Sequence, residues 1–402
     1  MQIFIQMKIS KLISILILFI GQYSILYSQN NKNFDVPKLS NQAQVSVLTI
    51  GLGSETYQLF GHSAIRIKDN KLGWDFVYNY GTFDFSDPDF LIKFIKGRLL
   101  YYESIDIYND FVANYREQNR TIQEQILDLD SASTQHIFEF LTINAREENK
   151  YYKYDFLFDN CATRPRDILF KIAYQSKLKF KPDVDDNSTY RQLIDRHNTN
   201  EWLDFGMDLL IGLPTDKKAK IGRTFLPYEL MQLIDGATLN GKPIVKSNVE
   251  ILSAIPNYVS KNWVTPGIVF WILFIMILIL QIKQISFIHF KVFPIIFLSL
   301  LGLIGWLLIF MWFGTDHLST KWNLNILWAM PLNFPLALFL IKKRTPNWIR
   351  EYFNVYRIIL IVLLFFWLFN PQEYHKAALP LVLIAILFIS RFTPIPYRNK
   401  LE

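Results

Sequence analysis

The chain of 402 residues holds one sulfur nucleophile, Cys161, in the run Asp159-Asn160-Cys161-Ala162-Thr163-Arg164-Pro165-Arg166-Asp167. Asparagine is a helix-capping type and proline is tolerated in a first turn. The run therefore predicts a helix from Cys161 to Tyr174 capped by Asn160. At such a position the unpaired N–H groups and the helix dipole favour a thiolate, and Arg164 and Arg166 add positive potential. A lowered thiol pKa and nucleophilic attack at neutral pH are expected. The bland alternative is a small buried core residue, the common state of a free cysteine. A polar helix start in an exported domain fits that alternative poorly.

A thiol nucleophile needs an imidazole to take its proton. Of the six histidines, His289 falls on the inner side of a membrane segment, His136 lies inside a helix and His197 ends a polar one. His317 and His375 sit in predicted outer loops, where both are candidates to line a membrane-facing entrance but little else recommends them. His62 differs, because it opens the strand His62-Ser63-Ala64-Ile65-Arg66-Ile67 directly after Gly61. A bare backbone beside it permits close approach of another element, such as the Cys161 helix.

The elements that must hold these two residues read as follows. Val45–Ile50 alternates as a strand turned by Gly51-Leu52-Gly53-Ser54, and Gly61–Ile67 and Trp74–Tyr80 form two more strands around the turn Lys68-Asp69-Asn70-Lys71. Pro88–Lys96 reads as a short helix stopped by Gly97, and Leu99–Ile107 and Thr121–Leu127 as further strands. Ser131 is placed to cap a helix to about Ala145. The stretch 188–234 is mostly helical, with Pro227 starting its last helix. A sheet in the first half with helices behind it makes an α+β domain.

Composition sets the surroundings. Hydrophobic residues make up 51% and charged residues 19%, and the apolar ones gather near the C-terminus, which excludes both a disordered chain and a single soluble globule. One cysteine excludes an intramolecular disulfide framework and a zinc site of several thiolates. Lys8 and Lys11 precede the apolar run Leu12–Leu26, and Ser28 closes it, so residues 1–28 read as a secretory signal peptide. Residues 29–262 then form the exported domain. Residues 263–402 form an all-α transmembrane domain, with segments near Val264–Leu280, Val292–Phe313, Leu324–Ile341, Ile358–Phe369 and Ala377–Ser390. Ten Lys/Arg fall on the predicted inner side, and only Lys321 and Lys376 on the outer, as the positive-inside rule requires. The net charge of +7 belongs to the membrane-associated parts; residues 29–262 carry 28 basic and 31 acidic groups, which argues against nucleic acid as a partner.

The order of parts resembles the permuted papain-like enzymes of the lecithin–retinol acyltransferase group. The carrying motifs are Phe60-Gly61-His62-Ser63-Ala64-Ile65-Arg66, then Tyr78-Asn79-Tyr80-Gly81-Thr82-Phe83, then Asn160-Cys161 opening a helix. With the signal and the C-terminal bundle of about five helices, nearly the whole chain is similar to bacterial lipoprotein N-acyltransferases with a periplasmic thiol domain. That resemblance implies Cys161 as nucleophile and His62 as base. It also implies a polar group on the next strand to hold the imidazole, which here allows Asn79, Asp75 or Tyr80. Asp75 and Asn79 share one strand face, and Asn79 is favoured because a neutral amide serves in papain-like sites.

The implied reaction moves an acyl chain from a membrane phospholipid, through a Cys161 thioester, to the N-terminal amine of a diacylglyceryl-cysteine lipoprotein, with no cofactor. The implied location is the bacterial inner membrane, multi-pass, with the thiol domain in the periplasm. Arg164, Arg166 and His317 are candidates to bind the phosphate head group, against a reading as surface ion pairs. Two other classes remain open: a membrane-anchored cysteine peptidase acting on cell-wall peptides, and a non-enzymatic lipid or lipoprotein sensor.

Overall fold

The computed structural model describes residues 36–173, 178–179, 187–198, 200–255, 263–283, 292–342 and 344–392. The expected signal peptide, the end of the Cys161 helix at Tyr174 and His289 lie outside them. The first half builds an antiparallel sheet from β1 (Ala43–Ile50), β2 (His62–Asp69), β3 (Trp74–Thr82), β4 (Leu100–Ile107), β5 (Ile122–Leu127) and β6 (Tyr151–Lys153). Two-residue strands β7 (Leu178–Lys179), β8 (Thr238–Leu239) and β9 (Lys242–Pro243) make a separate ribbon, and β10 (Val245–Leu252) returns to the large sheet. Its order is β10-β5-β1-β2-β3-β4-β6.

Side chains alternate across the sheet. Leu48, Ile50, Ala64, Val77 and Ile122 form one buried face with Phe111 and Val112. Register fixes where the polar residues of that face stand. Ile50 lies opposite both His62 and Ile122, and Ala64 lies opposite Asn79. His62 and Asn79 are thus diagonal neighbours on one face at one end of the sheet.

The helices are α1 (Phe90–Ile95), α2 (Tyr108–Glu117), α3 (Ser131–Asn144), α4 (Thr163–Ala173), α5 (Tyr190–His197), α6 (Glu201–Leu210) and α7 (Pro227–Asp235). Helix α2, which supplies Phe111 and Val112, was not expected from the sequence; Asp130, not Ser131, caps α3 by accepting the Ser133 N–H at 2.7 Å. The later part has α8 (Pro266–Ile282), α9 (Val292–Phe313), α10 (Asn333–Ala337), α11 (Asn347–Phe365) and α12 (Ala378–Phe392). Helix α9 alone among the described residues is long and apolar enough to cross a membrane by length and composition; α8 and α12 are shorter apolar helices.

Two of the expected spans differ. The stretch expected as one helix from Leu324 to Ile341 is broken into 3-10 turns around the five-residue α10. Pro331 and Pro335 withhold N–H donors there, and the buried amides of Asn323, Asn325 and Asn333 bond away from a continuous helix. The span expected at Ile358–Phe369 begins inside the longer α11, which starts at Asn347 because the polar first turns hide the helix from an apolar window, and which ends at Phe365 ahead of a 3-10 turn over Trp367–Phe369.

A buried polar joint ties α5 and α6 to the loops of the membrane part. Arg191, fully buried, donates to Asp208 Oδ1 at 2.6 Å and to Asp216 at 3.0 and 3.1 Å. Asp216 also accepts the Glu373 N–H at 2.9 Å, and Asn325 Nδ2 reaches the Asp208 carbonyl at 2.9 Å. Removing one partner of such a group strands the rest without compensation. Arg191→Met should therefore destabilise the protein by about 3–5 kcal/mol, read as a large drop in thermal midpoint in detergent; an unchanged midpoint would refute this account of the joint.

Candidate active site

Asn160 is a buried clamp with every side-chain arm in use. Its Nδ2 donates to the carbonyls of Phe156 (2.7 Å) and Phe225 (2.9 Å), and its Oδ1 accepts the N–H groups of Ala162 (2.8 Å) and Thr163 (2.9 Å). The Thr163 hydroxyl accepts the Asn160 N–H at 2.7 Å. Asn160 thus folds a turn that enters α4, and half-buried Cys161 sits in that turn, ahead of the helix instead of in its first turn. The side chain's preference for bonding its own following backbone explains the shift.

Two glycines let the chain close around the thiol. Gly81 has φ +95°, and an added Cβ would stand 3.6 Å from the Cys161 Cβ. At Gly61, with φ +81°, an added Cβ would stand only 2.6 Å from the Ile50 carbonyl oxygen. The bare backbone beside His62 therefore admits the end of β1, and Gly81 is the residue that admits Cys161.

The backbone N–H groups of Ser63 and of Cys161 itself lie close enough to the Cys161 sulfur to favour its charged form. Ser63 follows His62, so the thiol touches the strand that carries the imidazole. Among the described residues no direct hydrogen bond joins thiol to imidazole; apo sites often close that contact only with substrate present. His62 Nε2 bonds Asn79 Oδ1 at 3.1 Å, and Asn79 Nδ2 donates to Asp106 Oδ2 at 2.5 Å. Since Asp106 claims the amide nitrogen, the amide oxygen faces the ring and Nε2 carries its proton. That leaves the lone pair on Nδ1. The other two candidates are engaged elsewhere: Asp75 accepts two bonds from Arg66 at 2.7 Å, and the Tyr80 hydroxyl accepts from Asn144 at 3.3 Å.

The electrostatics differ from the expected lowered thiol pKa. Burial pushes the Cys161 thiol up to about 11, against smaller opposing effects from the Ser63 and Cys161 N–H groups and from Arg120. Burial also lowers His62 to about 4; the Asn79 bond opposes this and the Arg120 charge adds to it. Both groups are therefore neutral at pH 7. Arg164 and Arg166 do not supply the field, because Arg164 grips Asp159 at 2.6 and 2.8 Å and lies over the Tyr152 ring, while Arg166 bonds Asp167 at 2.7 Å and Thr224 at 3.2 Å. His317 bonds the carbonyls of Phe94 and Ile95 at 3.2 and 3.1 Å.

Arg120 is the cation the sequence reading missed. It is 3% exposed, donates Nε to the Gly51 carbonyl at 2.9 Å and Nη1 to Gln118 at 3.3 Å, and lies 4.9 Å over the Tyr115 ring. Tyr115 in turn stacks on His62. Nη2 is buried without a hydrogen-bond partner, and no carboxylate among the described residues pairs with this guanidinium. An uncompensated buried cation is poised for an anion. The available signal was position: Arg120 directly precedes the strand that pairs with the end of β1, opposite His62.

Elsewhere, ligand atoms of Asp204, Asp208 and His375 lie within 4.8 Å of one another. Arg191 already supplies a positive charge there through Asp208, and the cluster includes neither Cys161 nor His62.

Residues 32–196 match the family model described as the Lnb N-terminal periplasmic domain, and residues 258–398 match that described as the Lnb transmembrane domain. No curated protein and no solved structure matches the chain. The raised thiol pKa makes a kinetic prediction. Iodoacetamide alkylation of Cys161 should rise about tenfold per pH unit between about pH 6 and 9 without a plateau, since only the thiolate reacts. Arg120→Gln should lower the rate at every pH; a plateau near neutrality, or a variant that reacts like the wild type, would contradict the assignment.

Proposed function

The chain belongs to the lipoprotein N-acyltransferase (Lnb) family, a membrane protein with a periplasmic and a transmembrane domain, and from that we propose that it acylates the N-terminal amine of diacylglyceryl lipoproteins at the outer face of the bacterial inner membrane. The observation that carries the reading is the run of contacts at one end of the sheet: Cys161 sulfur to Ser63 N–H, neighbouring His62 to Asn79, and Asn79 to Asp106, beside the unpaired Nη2 of Arg120. The same reading divides the chain into a signal peptide (1–28), a periplasmic thiol domain (29–262) and a multi-pass membrane domain (263–402).

In this mechanism the Cys161 sulfur attacks the ester carbonyl of a phospholipid while its proton passes to His62 Nδ1. The tetrahedral oxyanion draws on the backbone N–H groups at the sulfur and on Arg120. Collapse breaks the C–O bond, His62 protonates the departing lysophospholipid oxygen, and a thioester stays on Cys161. The free α-amine of the lipoprotein cysteine then attacks the thioester carbonyl, His62 takes a proton from it, and the thiol is regenerated as the amide forms. Since imidazole and thiol rest neutral, the proton moves within the attack and no standing ion pair is required.

A membrane setting favours lipid substrates. Each buried methylene is worth about 0.8 kcal/mol, so full extraction of a long acyl chain into water would cost on the order of 10 kcal/mol. A thiol held at the bilayer avoids most of that cost. A cell-wall peptidase would have no such need, and a sensor would need no aligned proton acceptor.

Mass spectrometry of lipoprotein N-terminal peptides decides between these readings. Cells whose only copy carries Cys161→Ala or His62→Ala should lose the third acyl chain while the protein still accumulates. Asn79→Ala should retain acylation slowed by roughly 10- to 100-fold, as expected of an orienting partner. Persistence of the third chain in the Cys161→Ala strain would sink the transferase reading, and release of wall peptides by the wild-type protein would favour the peptidase.

A further inference from the structure

Helix α1 is apolar on the side where a soluble helix would be polar. Leu91 is 65% and Ile92 57% exposed, and Phe94, Ile95 and neighbouring Phe85 are also exposed. Its C-terminal end is fastened to the loop that follows α9. The Asp316 N–H donates to the Lys96 carbonyl at 2.8 Å, His317 bonds the Phe94 and Ile95 carbonyls, and Arg98 and Lys153 both reach Asp316 at 3.3 Å. That end of α9 carries stacked Trp312 and Phe313, with Trp312 against Trp322, and Phe313 is 74% exposed. Aromatic residues of this kind mark the membrane–water boundary. The exposed face of α1 is therefore continuous with the lipid-facing end of α9, and its partner chemistry is hydrocarbon.

On its inner side α1 begins a row of rings. Phe90 stacks on Phe83 at 5.8 Å, Phe83 meets Tyr101 at 5.2 Å, and Tyr101 stacks on Tyr154 at 4.5 Å. A Cβ on Gly81 would stand 3.7 Å from the Tyr154 ring and 3.6 Å from the Cys161 Cβ, so the row ends at the thiol. No charged side chain belongs to the row.

We propose that α1 and this ring row are the acyl-chain site: the chain of an outer-leaflet lipid leaves the bilayer over α1, lies along Phe90, Phe83 and Tyr101, and presents its ester carbonyl to Cys161. The proposal rests on the acyltransferase reading but is tested without turnover. Full-length Cys161→Ala protein in phosphatidylethanolamine–phosphatidylglycerol vesicles is irradiated with a phospholipid bearing a diazirine midway along its acyl chain, and the labelled peptides are mapped. Label on the peptides containing Phe83 and α1 is expected. Label confined to α8–α12 would overturn the site, even where a thioester still forms on the wild-type enzyme. If the α1 peptides are labelled but wild-type protein forms no thioester, the chemical reading fails while the site stands. As a second readout, the double variant Leu91→Asp/Phe94→Asp should lower the ratio of lysophospholipid release from long-chain over dihexanoyl donors at least tenfold. Iodoacetamide reaction at Cys161 serves as the folding control, and an unchanged ratio in a variant that still alkylates would overturn the proposal.

Discussion

The pairing register of β2 with β3 is the constraint on which the site depends. Ala64 opposite Asn79 puts the amide diagonal to His62 on the same face. A slip of one residue would turn Asn79 to the other face and leave the imidazole unheld. The register is enforced by apolar burial on both sides of the polar pair, with Ile50, Ala64 and Val77 all fully covered. Asp106, on the next strand, then decides which end of the Asn79 amide faces the ring, and so which imidazole nitrogen is free. Sheet pairing, which is sequence-distant, thereby selects the tautomer of a single side chain.

Burial dominates the electrostatics around that geometry. It holds thiol and imidazole neutral and leaves Arg120 as a fixed charge with an empty arm. A neutral resting thiol suits a periplasmic domain in an oxidising compartment, because the readily oxidised thiolate is scarce. A pre-set guanidinium costs nothing to reorganise when negative charge develops, which is the principal requirement of oxyanion stabilisation. Three features are thus physically separate: Asn79 holds the imidazole, His62 keeps one ring nitrogen free, and Arg120 supplies the fixed charge.

Much of the fold was legible in the sequence. Strand alternation located the five long strands before residue 128, and hydropathy located α9 at Val292–Phe313, because both signals are local in the chain. The approach of the Cys161 element to the His62 strand was expected, but through Gly61; that Gly81 admits Cys161 was not legible, since it depends on packing between residues eighty positions apart. The expected thiolate failed for a related reason: a sequence shows the charges near Cys161 but neither the burial that raises the thiol pKa nor the grip of Asp159 and Asp167 on Arg164 and Arg166. Arg120 was invisible because its significance is that no carboxylate among the described residues pairs with it and its Nη2 is left without a hydrogen bond. The broken segment around α10 was masked by its apolar composition, with the prolines and buried asparagines outweighed in any average over the window.

The most direct test of the central claim is the intact mass of the full-length protein after mixing with phospholipid and no acceptor. The account predicts a gain of one acyl chain, lost on treatment with hydroxylamine, mapped to the Cys161 peptide and missing from Cys161→Ala. A wild-type protein that stays at its starting mass while still acylating lipoproteins once the acceptor is added, or an acyl group found on another residue, would contradict it.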